Sequence, residues 1–252
     1  TSFQYVDDNM TLDQDFLPLS YFTLTQKRHE WALTQDFIGK GTAGAYSWLA
    51  GLFGFYKKTR MEAPVTFKKD GIDNLILDNA NKGMNPKGMM LSCDDDEIRL
   101  GSRFRNPVWG VAVYHQSSYR ARAWDFSAGI RLDVEKNTLK YYSDCETAFT
   151  VSRKMGDTWV PVMNVPVDLK DNDKLSNTFV EVLPKVSVTY NIPSLPASNV
   201  YMSVARGYKS GGYNTQMFSD VLQQKLMSAM GTPEKYDAEK IMSYKPEYSW
   251  NY

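Results

Sequence analysis

The stretch Trp124-Asp125-Phe126-Ser127-Ala128-Gly129-Ile130-Arg131-Leu132-Asp133-Val134-Glu135 splits into two rows. Trp124, Phe126, Ala128, Ile130, Leu132 and Val134 form one; Asp125, Ser127, Gly129, Arg131, Asp133 and Glu135 form the other. Successive side chains of a strand point to opposite faces of its sheet, so one face is apolar and the other polar. About eleven residues of unbroken alternation is also the length a tilted strand needs to cross a bilayer.

The same reading extends to either side. Val180, Val182, Pro184, Val186, Val188, Tyr190 and Ile192 oppose Glu181, Leu183, Lys185, Ser187, Thr189 and Asn191. Only Leu183 interrupts the polar row, and Pro184 removes a ladder donor. Further on, Val200, Met202 and Val204 oppose Tyr201, Ser203, Ala205, Gly207 and Lys209. In all, eight strand-like segments stand near 2–9, 24–38, 46–60, 107–119, 124–142, 179–192, 199–213 and 243–252. Their connections alternate. Gly39–Ala45, Arg120–Ala123 and Pro193–Ser198 are short, whereas Met10–Thr23, Met61–Asn106, Ser143–Thr178 and Asn214–Met242 are long. Tight turns at one end and long excursions at the other predict a meandering antiparallel β-barrel of the outer-membrane type. A sandwich distributes its loop lengths without that alternation.

Alternation alone fits any half-buried antiparallel sheet. The aromatics separate the readings. Phe37, Tyr46 and Trp48 flank the first short turn, Tyr119 and Trp124 the second, and Tyr190 and Tyr201 the third. Amphipathic rings favour the headgroup level of a bilayer, and their recurrence at three turns predicts a girdle.

Composition agrees. Mean hydropathy is −0.45 and 42% of the 252 residues are apolar, with no eighteen-residue apolar run for a transmembrane helix. A barrel strand is only half apolar, and polar loops dilute the average further. With zero net charge and a pI of about 6.7, nothing suggests nucleic-acid binding. The start carries no secretory signal pattern. The chain opens mid-pattern at Thr1-Ser2-Phe3 and stops within a strand at Trp250-Asn251-Tyr252, which predicts a piece of something longer.

Several stretches resemble the barrel of TonB-dependent outer-membrane receptors. They are Ser47–Tyr56, Phe126–Glu135, Leu183–Tyr190, Val200–Asn214 and, at the family's spacing, Tyr244–Tyr252. The resemblance implies an all-β, antiparallel, up-and-down transmembrane barrel segment. It would supply about eight of roughly twenty-two strands, with long extracellular loops and short periplasmic turns. Residues 1–252 form one such partial domain with no internal boundary. The plug domain, the energy-coupling box and the final strand are expected outside this chain. The implied location is the outer membrane of a Gram-negative bacterium. The implied partners are the TonB complex through the plug region, outer-membrane lipid, an extracellular solute and a surface lipoprotein. No cofactor is implied.

No catalytic constellation emerges, since His29 and His115 lie far apart on separate strands. Gly211-Gly212 reads as a bend near the barrel rim. Arg131, Asp133, Glu135, Lys185 and Lys209 fall on polar rows and are expected to face the lumen, to contact a plug or to line the solute's path. Ordinary lumen hydration accounts for them equally. Trp159, Phe149, Tyr213 and Phe218 are loop aromatics able to cup a large solute. Cys93 and Cys145 fall in long loops on one side of the barrel and would form a disulfide if exported; two free thiols are the alternative. Asp94, Asp95, Asp96 and Glu97 offer hard oxygens for Ca²⁺, with a solvated acidic loop as the alternative. Met84, Met89 and Met90 read as adaptable packing. Short loop helices are expected at Ile72–Ala80 and from Ser219 to Gly231.

The function implied is TonB-energised uptake of a scarce, large solute. Ferric siderophores lead, ahead of cobalamin and glycans. The rival from another class is a soluble all-β carbohydrate-binding module.

Overall fold

A computed structural model describes residues 1–13, 20–195, 197–218, 221, 224, 225, 228 and 237–252. Its principal sheet is a meander in chain order, β1-β2-β3-β6-β7-β8-β9-β12. These strands are β1 (Ser2–Asp13), β2 (Phe22–Ala43), β3 (Tyr46–Glu62), β6 (Glu97–Ala121), β7 (Trp124–Met155), β8 (Thr158–Asn191), β9 (Asn199–Lys209) and β12 (Glu247–Asn251). Every neighbouring pair is antiparallel. At the short-turn end Gly44 and Arg122 take positive φ, at 61° and 54°, to reverse the chain.

The long-connection end holds more order than the sequence reading gave it. The Met61–Asn106 excursion contains β4 (Val65–Lys68), which pairs with β2 and β6, and β5 (Met89–Ser92), which pairs with β7. Between them run α1 (Lys69–Gly71), a π-helical turn Ile72–Leu77, α2 (Asp78–Met84) and a 3-10 turn Asn85–Lys87, enclosing the helix expected at Ile72–Ala80. Met84 packs against the buried cluster of this loop. The expected Ser143–Thr178 loop is instead a hairpin. β7 and β8 stay paired as far as Met155 and Thr158, with Gly156 at φ 63° in the turn. The expected helix from Ser219 falls mostly outside the described residues, though Val221 is buried. Among the described residues no helix is long and apolar enough to cross a membrane.

The sheet has two faces with different solvents. On its outer face Ile130, Val113, Val180 and Val200 are 51–64% exposed. On the opposite, inner face Ala112 is 2% exposed, and Asp125, Arg131 and Asp133 are partly buried. Exposed apolar rows over a whole face invert the order of a water-soluble sheet and match a lipid-facing wall. Above Asn137 the inner row of β7 becomes apolar. Leu139, Tyr141, Cys145, Phe149 and Val151 are buried against Ile72, Ile76, Phe104 and Phe218. The outer row at the same height becomes polar, through Lys140, Tyr142, Asp144 and Glu146. The sheet therefore carries a lipid-facing band below and a conventional hydrophobic core above.

Candidate functional site

Where the two zones meet, polar side chains of four strands converge on the inner face around a cavity of about 390 Å³. β2 contributes Arg28 and Glu30, β3 Lys57 and Thr59, β6 Asn106, and β7 Glu135 and Asn137. Strand alternation puts them together, because register aligns Glu30 with Thr59. A short ribbon roofs the cavity, β10 (Gly212–Tyr213) paired with β11 (Ser243–Tyr244). Gly212 permits this close approach. A Cβ there would stand 2.7 Å from the Tyr244 hydroxyl and 2.8 Å from Asn137 Nδ2.

Part of the wall is internally satisfied. Thr59 Oγ1 donates to Glu30 at 2.7 Å, and Asn106 Nδ2 donates to Asn137 Oδ1 at 2.7 Å and to the Thr138 carbonyl at 2.8 Å. Two buried donors are not. Among the described residues Arg28 Nε and the Tyr213 hydroxyl have no hydrogen-bond partner. Leaving such groups unmade costs about 1–3 kcal/mol each. Burial, and then the nearby Glu239, push the Tyr213 phenol up to about 12, so it remains a donor at neutral pH. Arg28, Lys57 and Tyr213 thus present donors while Glu30 and Glu135 present acceptors. Such a surface suits a polar solute carrying oxygen acceptors.

The sequence candidates distribute unevenly over this geometry. Glu135 and Tyr213 line the cavity together. Arg131 and Asp133 lie below it on the same inner face, committed to each other at 2.8 Å. The Arg131 guanidinium also stacks 5.2 Å from the Phe53 ring and 5.6 Å from Tyr114, whose hydroxyl donates to Asp36 at 2.8 Å. These residues brace the wall across β2, β3, β6 and β7. Lys185 is exposed on the inner row opposite Gly129, and Lys209 pairs with Glu247 at 3.5 Å. Neither lines the cavity.

Three expectations are corrected. Phe149 and Phe218 do not form a cup; they are 0% and 1% exposed. Phe218 is held edge-on to Phe104 at 5.0 Å and beside Tyr141 at 4.9 Å. Trp159 stands at the far tip of the β7–β8 hairpin, opposite Lys154. Cys93 and Cys145 are free, buried thiols, the alternative reading, with Cys93 Sγ 3.9 Å from the Thr147 hydroxyl. Asp94, Asp95 and Asp96 are exposed; Asp95 accepts from Thr147 at 2.8 Å and Glu97 pairs with Lys68. Among the described residues no three carboxylate, imidazole or thiol groups gather at a cation site. The residues missed were Arg28, Glu30, Lys57, Asn106 and Asn137. At this height both rows of β3 are polar, through Lys57, Lys58, Thr59 and Arg60, so alternation gave no direction.

The family model for the TonB-dependent receptor-like β-barrel matches residues 1–252. The chain belongs to the TonB-dependent receptor β-barrel family. Among solved structures it resembles the ferric yersiniabactin uptake receptor FyuA from Yersinia pestis, at 16% identity and a TM-score of 0.52. That likeness covers 98% of this chain and 28% of FyuA, so the chain spans little more than a quarter of that receptor's length. No curated protein matches it. The family accounts for the exposed apolar rows, which a soluble carbohydrate-binding module does not.

Proposed function

We propose that this chain forms part of the wall of an outer-membrane receptor that binds a scarce polar solute at its mouth and admits it with energy from the TonB complex. The observation that carries this reading is the roofed inner cavity beside the lipid-facing band, where buried donors of Arg28 and Tyr213 lack partners among the described residues. Barrels of this family reside in the Gram-negative outer membrane, and coupling to TonB runs through the plug region of the complete receptor. Ferric siderophores are the first class to screen. The donors suit oxygen-rich anionic chelates, and the similar FyuA is an uptake receptor for ferric yersiniabactin. Cobalamin and glycans follow. A surface lipoprotein partner is the least supported element.

The test is solute binding to the complete receptor in detergent, read by quenching of intrinsic tryptophan fluorescence across a siderophore, cobalamin and oligosaccharide panel. The expected result is one binding class, weakened about tenfold or more by Arg28→Gln as a charge-assisted contact is lost. Binding unaffected by both Arg28→Gln and Tyr213→Phe would remove the cavity from the path.

A further inference from the structure

The outer face bears a feature that solute uptake does not use. Directly above the apolar band, the register aligns His29 with Arg60, Arg60 with Arg105, Arg105 with Lys140 and Lys140 with Lys174. Five basic side chains from five adjacent strands thus stand in one row. One step above, Lys27 and Arg103 flank Glu62; one step below, Lys58 stands opposite Trp31. An open groove of about 540 Å³ runs along this surface, lined by His29, Arg60, Arg103, Arg105 and Lys140. Asp7 meets His29 at 3.1 Å. Among the described residues Arg60, Arg105, Lys140 and Lys174 form no ion pair.

Like charges directly opposite on neighbouring strands destabilise the pairing. One lysine or arginine at the edge of an apolar band can snorkel to water without a partner. A contiguous row in register has no room to disperse sideways, so it favours a shared counter-anion. The row's height names the source. Trp31, Tyr56 and Trp109 lie immediately beneath it on the same face, with the Trp31 and Tyr56 rings 5.1 Å apart. Such rings mark the headgroup level. Below them Val111, Val113, Ile130 and Leu132 are exposed to lipid. The long-connection end of such a barrel is extracellular. An amphiphile of the outer leaflet therefore meets cations at its head and apolar side chains along its tails. Planar guanidinium forks match phosphate oxygens in pairs, with lysine adding charge.

We propose that this groove holds the phosphorylated headgroup of an outer-leaflet lipid, whose acyl chains lie on the band beneath. The experiment titrates the complete receptor in detergent with phosphatidylglycerol, phosphatidylcholine and inorganic phosphate, counting bound molecules by native mass spectrometry. Phosphatidylglycerol is expected to bind, with an affinity at least about tenfold lower in Arg60→Gln/Arg105→Gln/Lys140→Gln. Lys185→Gln, on the inner face, is the control expected to leave lipid binding unchanged. Heat-shifted electrophoretic mobility reports that each barrel is closed. If the triple variant does not fold, Arg105→Gln against the charge-keeping Arg105→Lys gives the same contrast, with only the lysine variant retaining lipid. Equal binding of phosphatidylcholine, equal binding of inorganic phosphate, or lipid binding unaltered in the variants would each overturn the proposal.

Discussion

Below Glu135 the strand β7 turns its apolar side chains outward; above Asn137 the same strand turns them inward. Ile130 and Leu132 are exposed on the outer face, whereas Leu139 and Phe149 are completely buried on the inner one. Both parts are extended antiparallel strand, and pairing with β8 runs in register through the change, shifting only at Val151/Ser152 near the tip. Solvent is what differs. Ten residues separate Trp124 from Val134. At about 3.3 Å per residue and a tilt of about 40° they span about 25 Å, the height of an outer-membrane barrel's apolar band. Above it water surrounds the outer face, and the apolar row moves to the side that loops can cover. The polar cavity and the cation row both lie at this crossing, one on each face.

The comparison can be broken most forcefully from above. Phe149→Ala empties a fully buried site and is expected to cost about 3–5 kcal/mol. The loss should be confined to the upper core, so limited proteolysis of the membrane-embedded receptor should cut the β4–β5 excursion while heat-shifted mobility persists. Collapse of the whole barrel would show that the zones are not separable.

From below, Ile130→Arg places a charge in the lipid band and should cost about 2–4 kcal/mol in urea titrations of receptor folded in vesicles. The same change in the upper zone at Asn172, exposed on the outer row of β8, should stay within about 0.5 kcal/mol. Equal costs would mean that both outer surfaces face water.

At the crossing itself, Gly212→Ala brings a methyl against the far ends of the Tyr244 and Asn137 side chains, which must shift, at the low end of overpacking, about 1 kcal/mol. Faster amide exchange in Gly212–Tyr213 and Ser243–Tyr244, with an unchanged membrane band, is the expected readout. Unaltered exchange there would remove the close approach of the roof.

The smallest effect is chemical. Burial, then Asp144 and Glu146, push the Cys145 thiol up to about 11. The folded pKa lies above the unfolded one, so this contribution to stability is present below the ordinary thiol pKa of about 8.5. It fades as pH rises through about 11. Maleimide at neutral pH should therefore spare Cys145 in the folded receptor and modify it after denaturation. Rapid labelling of the folded form would contradict a sealed upper core.

Legibility followed the same division. Residues 124–135 and 179–192 were readable because each row kept nearly one character for the length of a membrane crossing. The β7–β8 hairpin beyond Tyr142 was lost because its rows exchange character at Lys136–Thr138, so a search for continued alternation reads an ending. Of the cavity, Glu135 and Tyr213 were legible as polar-row and loop-aromatic positions. Arg28, Lys57 and Asn106 were not, because their strands are polar on both faces at that height.

The sequence by itself determined the eight-strand meander, its short turns at Gly39–Ala45 and Arg120–Ala123, the lipid-facing rows and the family. Each is encoded in local periodicity and turn chemistry, which need no distant partner. Only the tertiary structure decided that Phe149 and Phe218 are core, that Cys93 and Cys145 stand unbonded, and that His29, Arg60, Arg105, Lys140 and Lys174 share one level. Those facts depend on cross-strand register and loop packing between residues up to 145 positions apart in this set (His29 to Lys174). Alternation within a single strand fixes the face of a side chain but leaves its neighbours on other strands open.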